Sequence, residues 1–309
     1  MKEESLLLLS DLQKLINQVV LIDYTIIILG GVFMEKRKLV LTIIGIVILA
    51  MVIMVYIYFS KPGRDELENV TPGSEEYRGF LLDNVLHSPN EGDIHYNVYI
   101  PDAYDGTKEY ALYVTLPGYQ GLYFQGVGEN IRTEDFGFEA QKYITDMIIV
   151  APQLNDWGQT SADQTIELTQ YFLTHYIINP SKVYINGYSG GGETLSLVLA
   201  KQPELYTAAL MCSSQWDGAY EPVVEIKTPV YFVIGESDEY YGSEPFKKAY
   251  QQIHELYKEQ GLSESEIDKL VVLDVKDKDY FEGTPVTYQH GGGYLFCRDK
   301  EIMGWLFNQ

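Results

Sequence analysis

A strand, a glycine-rich turn and a helix follow one another over residues 181–200, and this order strongly constrains the fold. Residues 183–186 are strand-like and apolar up to Asn186, residues 187–192 read GYSGGG, and residues 193–200 are a mainly apolar helical stretch. Small residues two before and two after Ser189 allow a strand and a helix to approach closely across a sharp turn. A Gly-x-Ser-x-Gly match alone is weak evidence, but in this context it predicts an elbow with Ser189 as a nucleophile.

Strand-like runs alternate with helical stretches along most of the chain. The first two or three strands follow one another closely, as hairpins do, whereas helices separate the later ones, as parallel crossovers require. The predicted strands are residues 79–87, 94–100, 110–116, 147–150, 183–186, 208–212, 230–234 and 270–275. Helices are predicted at residues 163–176, 192–201, 244–257 and 299–307. The pattern predicts an α/β fold: a mostly parallel eight-stranded sheet with helices on both faces.

A nucleophilic serine needs a general base, and the chain has only five histidines. His290 lies in a glycine-rich loop after the last predicted strand, so the chain order serine, acid, histidine is possible. The other four lie in the first strands or on helices, where surface or packing roles are expected: His87, His95, His175 and His254. We therefore predict His290 as the base.

Two loops can supply the acid that orients the histidine. Asp238 follows the predicted strand 230–234, in the run ESDE, and would hold the imidazole in the correct tautomer. Asp217, after the preceding strand, is the second candidate. We predict Asp238, although its neighbours Glu236 and Glu239 are close enough to be mistaken for it.

The oxyanion of the intermediate needs two backbone N–H donors aimed at one point. Gly190 directly follows the nucleophile and is predicted to supply one. The loop LPGYQG after the third strand is predicted to supply the other, with Tyr119 as the first candidate and Gln120 as the next.

Charge and cysteine content exclude several classes of function. The formal net charge of −22 argues against nucleic-acid binding, because phosphate contacts need clustered Lys and Arg. Cys212 and Cys297 are the only cysteines, and neither forms a CxxC pair, so we predict no metal site and no cofactor.

The N-terminal region predicts a membrane anchor. Residues 39–59 are 21 residues without a charge, which is about 30 Å of helix, and Lys36, Arg37 and Lys38 precede them. By the positive-inside rule the remainder is predicted to lie outside a bacterial cell, tethered by a single pass. A cleaved signal peptide is the alternative, which the length of the apolar run and the lack of a small-x-small cleavage site after it disfavour. Met34 has the context of a natural start, so residues 1–33 are predicted to be leader upstream of the true start codon. The predicted order is then anchor 34–60, linker 61–74 and catalytic domain 75–309.

Taken in order, LPGYQG, VAPQLNDWG, VYINGYSGGG, VIGESDE and the C-terminal histidine loop resemble the α/β-hydrolase superfamily. They are similar to its polyhydroxybutyrate-depolymerase and feruloyl-esterase-like group, and to prolyl-oligopeptidase-like peptidases. The resemblance covers residues 75–309, and it departs from the group where Pro117 replaces the usual histidine. It implies that Trp157 lines the acyl or alcohol site.

These motifs predict a membrane-anchored esterase that forms an acyl-enzyme on Ser189. Its substrate is expected to be a small-molecule or polysaccharide-linked ester. Gln120 and aromatic residues near the loops are candidates for the pocket wall: Tyr119, Tyr123, Phe124, Trp157, Trp216, Tyr240 and Tyr241. The alternatives are a serine peptidase on the same scaffold and an inactive hydrolase-fold binding module.

Overall fold

A computed structural model describes residues 69–309 of the chain. The predicted leader, the predicted anchor and most of the predicted linker lie outside the described residues. From residue 69 onward, no helix is both long enough and apolar enough to cross a membrane.

Within residues 69–309, ten strands form one mixed sheet, in the order β1-β3-β4-β6-β5-β7-β8-β9-β10, with β2 paired to β3. All the pairs among β5 to β10 are parallel, whereas β1 to β4 pair antiparallel, and β4 runs antiparallel to β6. The strands are Val70–Thr71, Glu75–Tyr77, Phe80–Ser88, Gly92–Tyr99, Tyr110–Leu116, Met147–Pro152, Ile178–Tyr188, Ala208–Cys212, Val230–Gly235 and Val271–Lys276.

The prediction of eight strands was wrong by two. The short strands β1 and β2 carry no long apolar run, and they form by pairing with β3. β1 lies within the stretch predicted as a linker. The eight predicted runs do correspond to β3 through β10, and the runs at 110–116 and 208–212 have the predicted bounds.

Ten α-helices connect and cover the described strands. They are α1 Glu129–Thr133, α2 Phe136–Ala140, α3 Gln159–His175, α4 Gly190–Lys201, α5 Glu221–Ile226, α6 Glu244–Glu259, α7 Glu264–Leu270, α8 Lys278–Phe281, α9 Gly293–Phe296 and α10 Lys300–Phe307. α6 shows why the spacing predicted helices well, because Phe246, Ala249, Ile253 and Tyr257 repeat every three or four residues and all are buried.

The sheet is buried on both faces, as a parallel sheet usually is. Alternate residues of β5 point to opposite sides: Leu112 and Val114 join one hydrophobic cluster, and Ala111 and Tyr113 join the other. Helices α3 to α7 contribute to the first cluster, and α1, α2 and α8 to α10 contribute to the second. This arrangement brings the loops at the carboxyl ends of β5, β7 and β9 to one edge of the sheet, where the predicted site residues lie.

Candidate active site

Ser189 occupies a sharp elbow between the end of β7 and the start of α4. Its backbone has φ 54° and ψ −127°, a conformation that costs a non-glycine residue about 1–3 kcal/mol. The Ser189 N–H donates to the carbonyl of Cys212 at 2.9 Å, which fixes the elbow to β8. A methyl group on Gly187 would lie 2.3 Å from the Gly191 carbonyl oxygen, so only glycine permits this approach of strand and helix.

Three side chains predicted from the sequence meet at this elbow. Ser189 Oγ lies 3.0 Å from His290 Nε2. His290 Nδ1 lies 2.9 Å from Asp238 Oδ2 and 3.1 Å from Oδ1. Asp238 comes from the turn after β9, and His290 from a short 3₁₀ turn, Gln289–Gly292. With its Nδ1–H donated to the carboxylate, the imidazole presents Nε2 as an acceptor for the serine hydroxyl proton.

Asp238 is held as an anion by its hydrogen bonds. Burial raises the pKa of Asp238. The hydrogen bonds that it accepts from His290 and from the backbone N–H groups of Tyr241 and Tyr240 lower this pKa by more, so the net shift is downward. The second candidate acid, Asp217, is exposed and accepts a hydrogen bond from Gln215. The structure therefore brings Asp238, and not Asp217, into contact with His290.

Glu239, beside Asp238, organises the loop that carries His290. Its two carboxylate oxygens accept the backbone N–H groups of Gln289, at 3.0 Å, and His290, at 2.8 Å. Tyr188 donates its hydroxyl to the carbonyl of His290 at 2.6 Å. Neither role was predicted, because a loop carboxylate and the residue before a nucleophilic serine carry no special pattern in the sequence.

The loop predicted to complete the oxyanion hole lies against Ser189. A methyl group on Gly118 would be 3.3 Å from Ser189 Cβ. The Gly118 N–H is taken, because it donates to Glu134 Oε1 at 2.7 Å. Within residues 69–309, the N–H groups of Tyr119 and Gly190 have no protein acceptor, which leaves both available to a ligand.

Trp157 packs directly on the residue after the nucleophile. A methyl group on Gly190 would lie 2.0 to 2.4 Å from the indole, so this position must be glycine. The indole ring is 6.1 Å from the ring of Tyr119, which is 5.5 Å from Phe124. Tyr119 and Phe124 are largely exposed. These three rings therefore form an aromatic cluster beside Ser189, and their role as the wall of a substrate pocket stays a prediction.

The other aromatic candidates divide into two groups. Tyr240 and Tyr241 have ring centroids 4.5 Å and 5.7 Å from the His290 ring. Trp216 packs instead in the core, against Phe232, and donates its indole N–H to the Gly218 carbonyl. Tyr123 stacks on His95, in β4. The structure thus brings Tyr240 and Tyr241 to the triad, whereas neither Trp216 nor Tyr123 contacts it.

A cavity of about 270 Å³ adjoins the residues that flank the triad in sequence, although no triad residue lines it. Gln120 from the oxyanion loop, Tyr188 and Gly291 line it, together with Glu134. Burial raises the pKa of Glu134 to about 8, against the smaller opposite effect of the Gly118 N–H. Glu134 was missed in the sequence, where nothing distinguishes it from other carboxylates of an acidic chain. A second cavity of about 310 Å³ lies along α3 and the β3–β4 turn and contains no triad residue.

Both cysteines are buried and unpaired. Burial raises the pKa of the Cys212 thiol and that of Cys297, the latter to about 12, so both stay protonated at neutral pH. In the part of the chain that the structure describes, no three His, Cys, Asp or Glu side chains are grouped as a metal site requires.

Comparison with known proteins gives a family match over part of the chain and a similar fold. Residues 153–218, which include Trp157 and Ser189, match the prolyl oligopeptidase family. No curated protein matches the sequence. The fold is similar to that of a thermostable esterase, with a TM-score of 0.59 and 22% identity over 75% of this chain and 63% of the esterase. This chain therefore spans less than two thirds of the esterase's length.

Two further solved structures are similar. One is S-formylglutathione hydrolase from Staphylococcus aureus, with a TM-score of 0.51 and 14% identity over 76% of this chain and 100% of that one. The other is dipeptidyl peptidase 4 from Porphyromonas gingivalis, with a TM-score of 0.52 and 10% identity over 75% of this chain and 36% of that one. The predicted resemblance is confirmed: the chain has the α/β-hydrolase fold and is similar to esterases and to prolyl-oligopeptidase-like enzymes.

Proposed function

We propose that the chain is a serine hydrolase that cleaves carboxylic esters through an acyl-enzyme on Ser189. The observation that carries the proposal is the connected row of contacts from Ser189 Oγ through His290 to Asp238. Together with the strained elbow, it supports a working triad over an inactive binding module, which has no need of all three groups in register.

The mechanism follows from these contacts. Ser189 Oγ attacks the ester carbonyl carbon while its proton passes to His290 Nε2, and Asp238 stabilises the resulting imidazolium. The N–H groups of Gly190 and Tyr119 are the proposed donors to the oxyanion. Collapse of the intermediate breaks the ester C–O bond, and His290 gives the proton to the leaving alcohol. Water then attacks the acyl-enzyme by the same route and regenerates Ser189.

The first test measures hydrolysis of p-nitrophenyl acetate and butyrate by the full-length chain. The Ser189→Ala variant is expected to lose kcat by about 10⁴-fold or more, and labelling by a fluorophosphonate probe is expected to disappear. Ser181→Ala is the control, because Ser181 is an exposed serine on the same strand, β7. Equal turnover by wild type and Ser189→Ala would rule out the proposed nucleophile.

A serine peptidase is the second candidate, favoured by the match of residues 153–218 to the prolyl oligopeptidase family. Amides differ from esters in having the poorer leaving group, so the two candidates separate on matched substrates. Cleavage of peptide p-nitroanilides with negligible ester turnover would favour the peptidase, and the reverse would favour the esterase.

We further propose that residues 39–59 anchor the enzyme in a bacterial membrane, with the catalytic domain outside. The support is the uncharged 21-residue run that follows three cationic residues. Expressed in bacteria, the full chain is expected to stay with carbonate-washed membranes and to be cleaved by protease added outside. A chain lacking residues 1–60 is expected in the soluble fraction. Release of the full chain by carbonate would overturn the anchor.

A further inference from the structure

Two adjacent carboxylates line the cavity beside the triad, and only one has its charge matched. Asp135 pairs with Arg78 at 3.1 Å and with Arg298. Glu134 has no cationic partner among residues 69–309, and its one hydrogen bond is the Gly118 N–H on Oε1. Its second oxygen accepts no hydrogen bond from the described residues. The ionised form of a carboxyl group in a cavity is unfavourable unless a cation or enough hydrogen bonds compensate its charge.

The cavity walls suit a cation. Tyr188 and Tyr288 line it with aromatic rings, and Tyr288 is about half exposed. Tyr294 also lines it, but one face of its ring is already covered by the Arg298 guanidinium, 3.8 Å from the ring centroid. A cation is attracted by the faces of aromatic rings, and more strongly where it is partly removed from water. Gln120 adds a neutral amide, and none of the lining residues is a Lys or Arg that would repel a cation.

The position of Glu134 links this cavity to the reaction centre. A methyl group on Gly118 would lie 3.4 Å from Glu134 Oε1 and 3.3 Å from Ser189 Cβ, so the carboxyl and the nucleophile flank the same glycine. On the other side Gly291, next to His290, also lines the cavity. A group bound here would therefore lie only a few bonds from an ester held by Ser189.

We propose, building on the serine hydrolase function above, that this cavity binds a protonated amine of the substrate. The preferred substrates are then esters that carry an ammonium group a few bonds from the scissile carbonyl. Glu134 supplies the counter-charge and the tyrosines supply the aromatic walls. The raised pKa of Glu134 agrees with this role, because a bound ammonium group would stabilise the ionised carboxylate that burial disfavours.

The test uses esters that differ at a single group. The p-nitrophenyl esters of β-alanine, 3-hydroxypropionate and butyrate place an ammonium, a hydroxyl and a methyl group at the same position of the acyl chain. For the alcohol side, 2-aminoethyl butyrate is compared with propyl butyrate. Each kcat/KM is divided by the rate constant for hydroxide-catalysed hydrolysis of the same ester, which corrects for intrinsic reactivity. On this scale the full-length wild type is expected to favour the amine by about tenfold in one of the two series. The series that responds identifies the side of the ester that enters the cavity.

The Glu134→Gln variant keeps an oxygen for the Gly118 N–H but cannot ionise. It is expected to lose most of the amine preference, measured as the ratio of the two kcat/KM values. Glu204→Gln is the control, since it removes an exposed carboxylate outside this cavity, and its ratio should equal that of wild type.

The wild type also provides a test that needs no variant. Its amine preference is expected to rise between pH 6 and pH 8.5, as Glu134 ionises. The other groups that line the cavity with this carboxyl are Asp135, Tyr188, Tyr288 and Tyr294. Tyr113, Cys212 and Cys297 lie nearby, and Arg298 contacts both Tyr294 and Asp135. Burial raises the pKa values of Tyr188 and Cys212, so neither titrates in this range.

Failure of this inference is distinguishable from failure of the proposed function. Butyrate ester hydrolysis that depends on Ser189, without any amine preference in either series, would overturn the ammonium site and leave the hydrolase intact. A preference for 3-hydroxypropionate over β-alanine would also overturn it, in favour of a neutral hydrogen-bond donor. If no ester is hydrolysed and the probe does not label Ser189, the proposed function fails first.

Discussion

Two carboxylates hydrogen-bond to loops of the candidate site, and they differ in exposure and in the number of hydrogen bonds that they accept. Glu239 accepts the backbone N–H groups of Gln289 and His290 and is exposed, whereas Glu134 accepts only the Gly118 N–H and lies in the cavity wall. Burial raises the pKa of Glu239, but its two backbone hydrogen bonds reverse the effect and leave a net lowering. Burial raises the pKa of Glu134 to about 8, since one hydrogen bond is not enough to reverse it.

This difference separates a structural carboxylate from one that is available to a ligand. Both oxygens of Glu239 are occupied by the loop that it holds, so its charge is already compensated. Glu134 has one oxygen to spare and no compensating charge among the described residues. Hydrogen-bond count, more than distance from the nucleophile, therefore predicts which carboxylate can respond to substrate.

The largest expected effect is at Asp238, the acid that contacts His290. Asp238→Asn would favour the wrong histidine tautomer, because an amide N–H cannot accept the Nδ1 proton, and kcat is expected to fall by about 10⁴-fold with little change in Tm. Asp217→Asn, the second candidate acid, should leave kcat unchanged. Steady-state kinetics on p-nitrophenyl butyrate would check both. A larger loss for Asp217→Asn would reverse the assignment of the acid.

An intermediate effect is expected where Glu239 holds the His290 loop. In Glu239→Gln, the amide NH₂ would face one of the two backbone N–H groups that donate to the carboxylate in the wild type. The loop should loosen, and kcat is expected to fall by about 10- to 100-fold. Hydrogen exchange at residues 288–293 should become faster than in wild type. Unchanged kcat together with faster exchange would show that the loop finds its position without Glu239.

The smallest expected effect is on stability, at Glu134. Its folded-state pKa lies above its unfolded value, so the folded chain binds the extra proton and loses stability as pH rises from about 4.5 to about 8. Glu134→Gln removes this loss. Its Tm relative to wild type is expected to increase by a few degrees between pH 5 and pH 9. Thermal unfolding at several pH values, with Glu204→Gln as control, measures it. A difference in Tm that does not change with pH would mean that burial does not raise the pKa of Glu134.

Much of the fold was predictable because buried strands and helices have recognisable patterns of apolar residues in the sequence. The fully buried strands β5 and β8 are continuous apolar runs, and both were predicted with the correct bounds. Short elements have fewer buried residues, so their apolar patterns are weaker. α7 has a single buried residue, Ile267, and was missed, although the capping box of Ser263 and Glu266 that begins it is visible in the sequence.

The candidate site was predictable to the extent that its residues follow strands. Ser189, Asp238 and His290 each lie in a turn at the carboxyl edge of the sheet, and chain order plus residue type was enough to select them. Trp216 also follows a strand, β8, yet it packs in the core against Phe232. Whether a loop side chain points to the site or to the core depends on its packing partners, which are distant in sequence.

The sequence by itself determined the elbow, because the glycines around Ser189 and the apolar runs on either side permit few other structures. It also determined the residue types from which a triad can be built. Only the tertiary structure decided which acid meets His290, which loop glycine adjoins the nucleophile, and that Glu134 is left in a cavity without a cation. The physical reason is that local sequence specifies backbone conformation, whereas the charge state and partners of a side chain depend on burial by residues far along the chain.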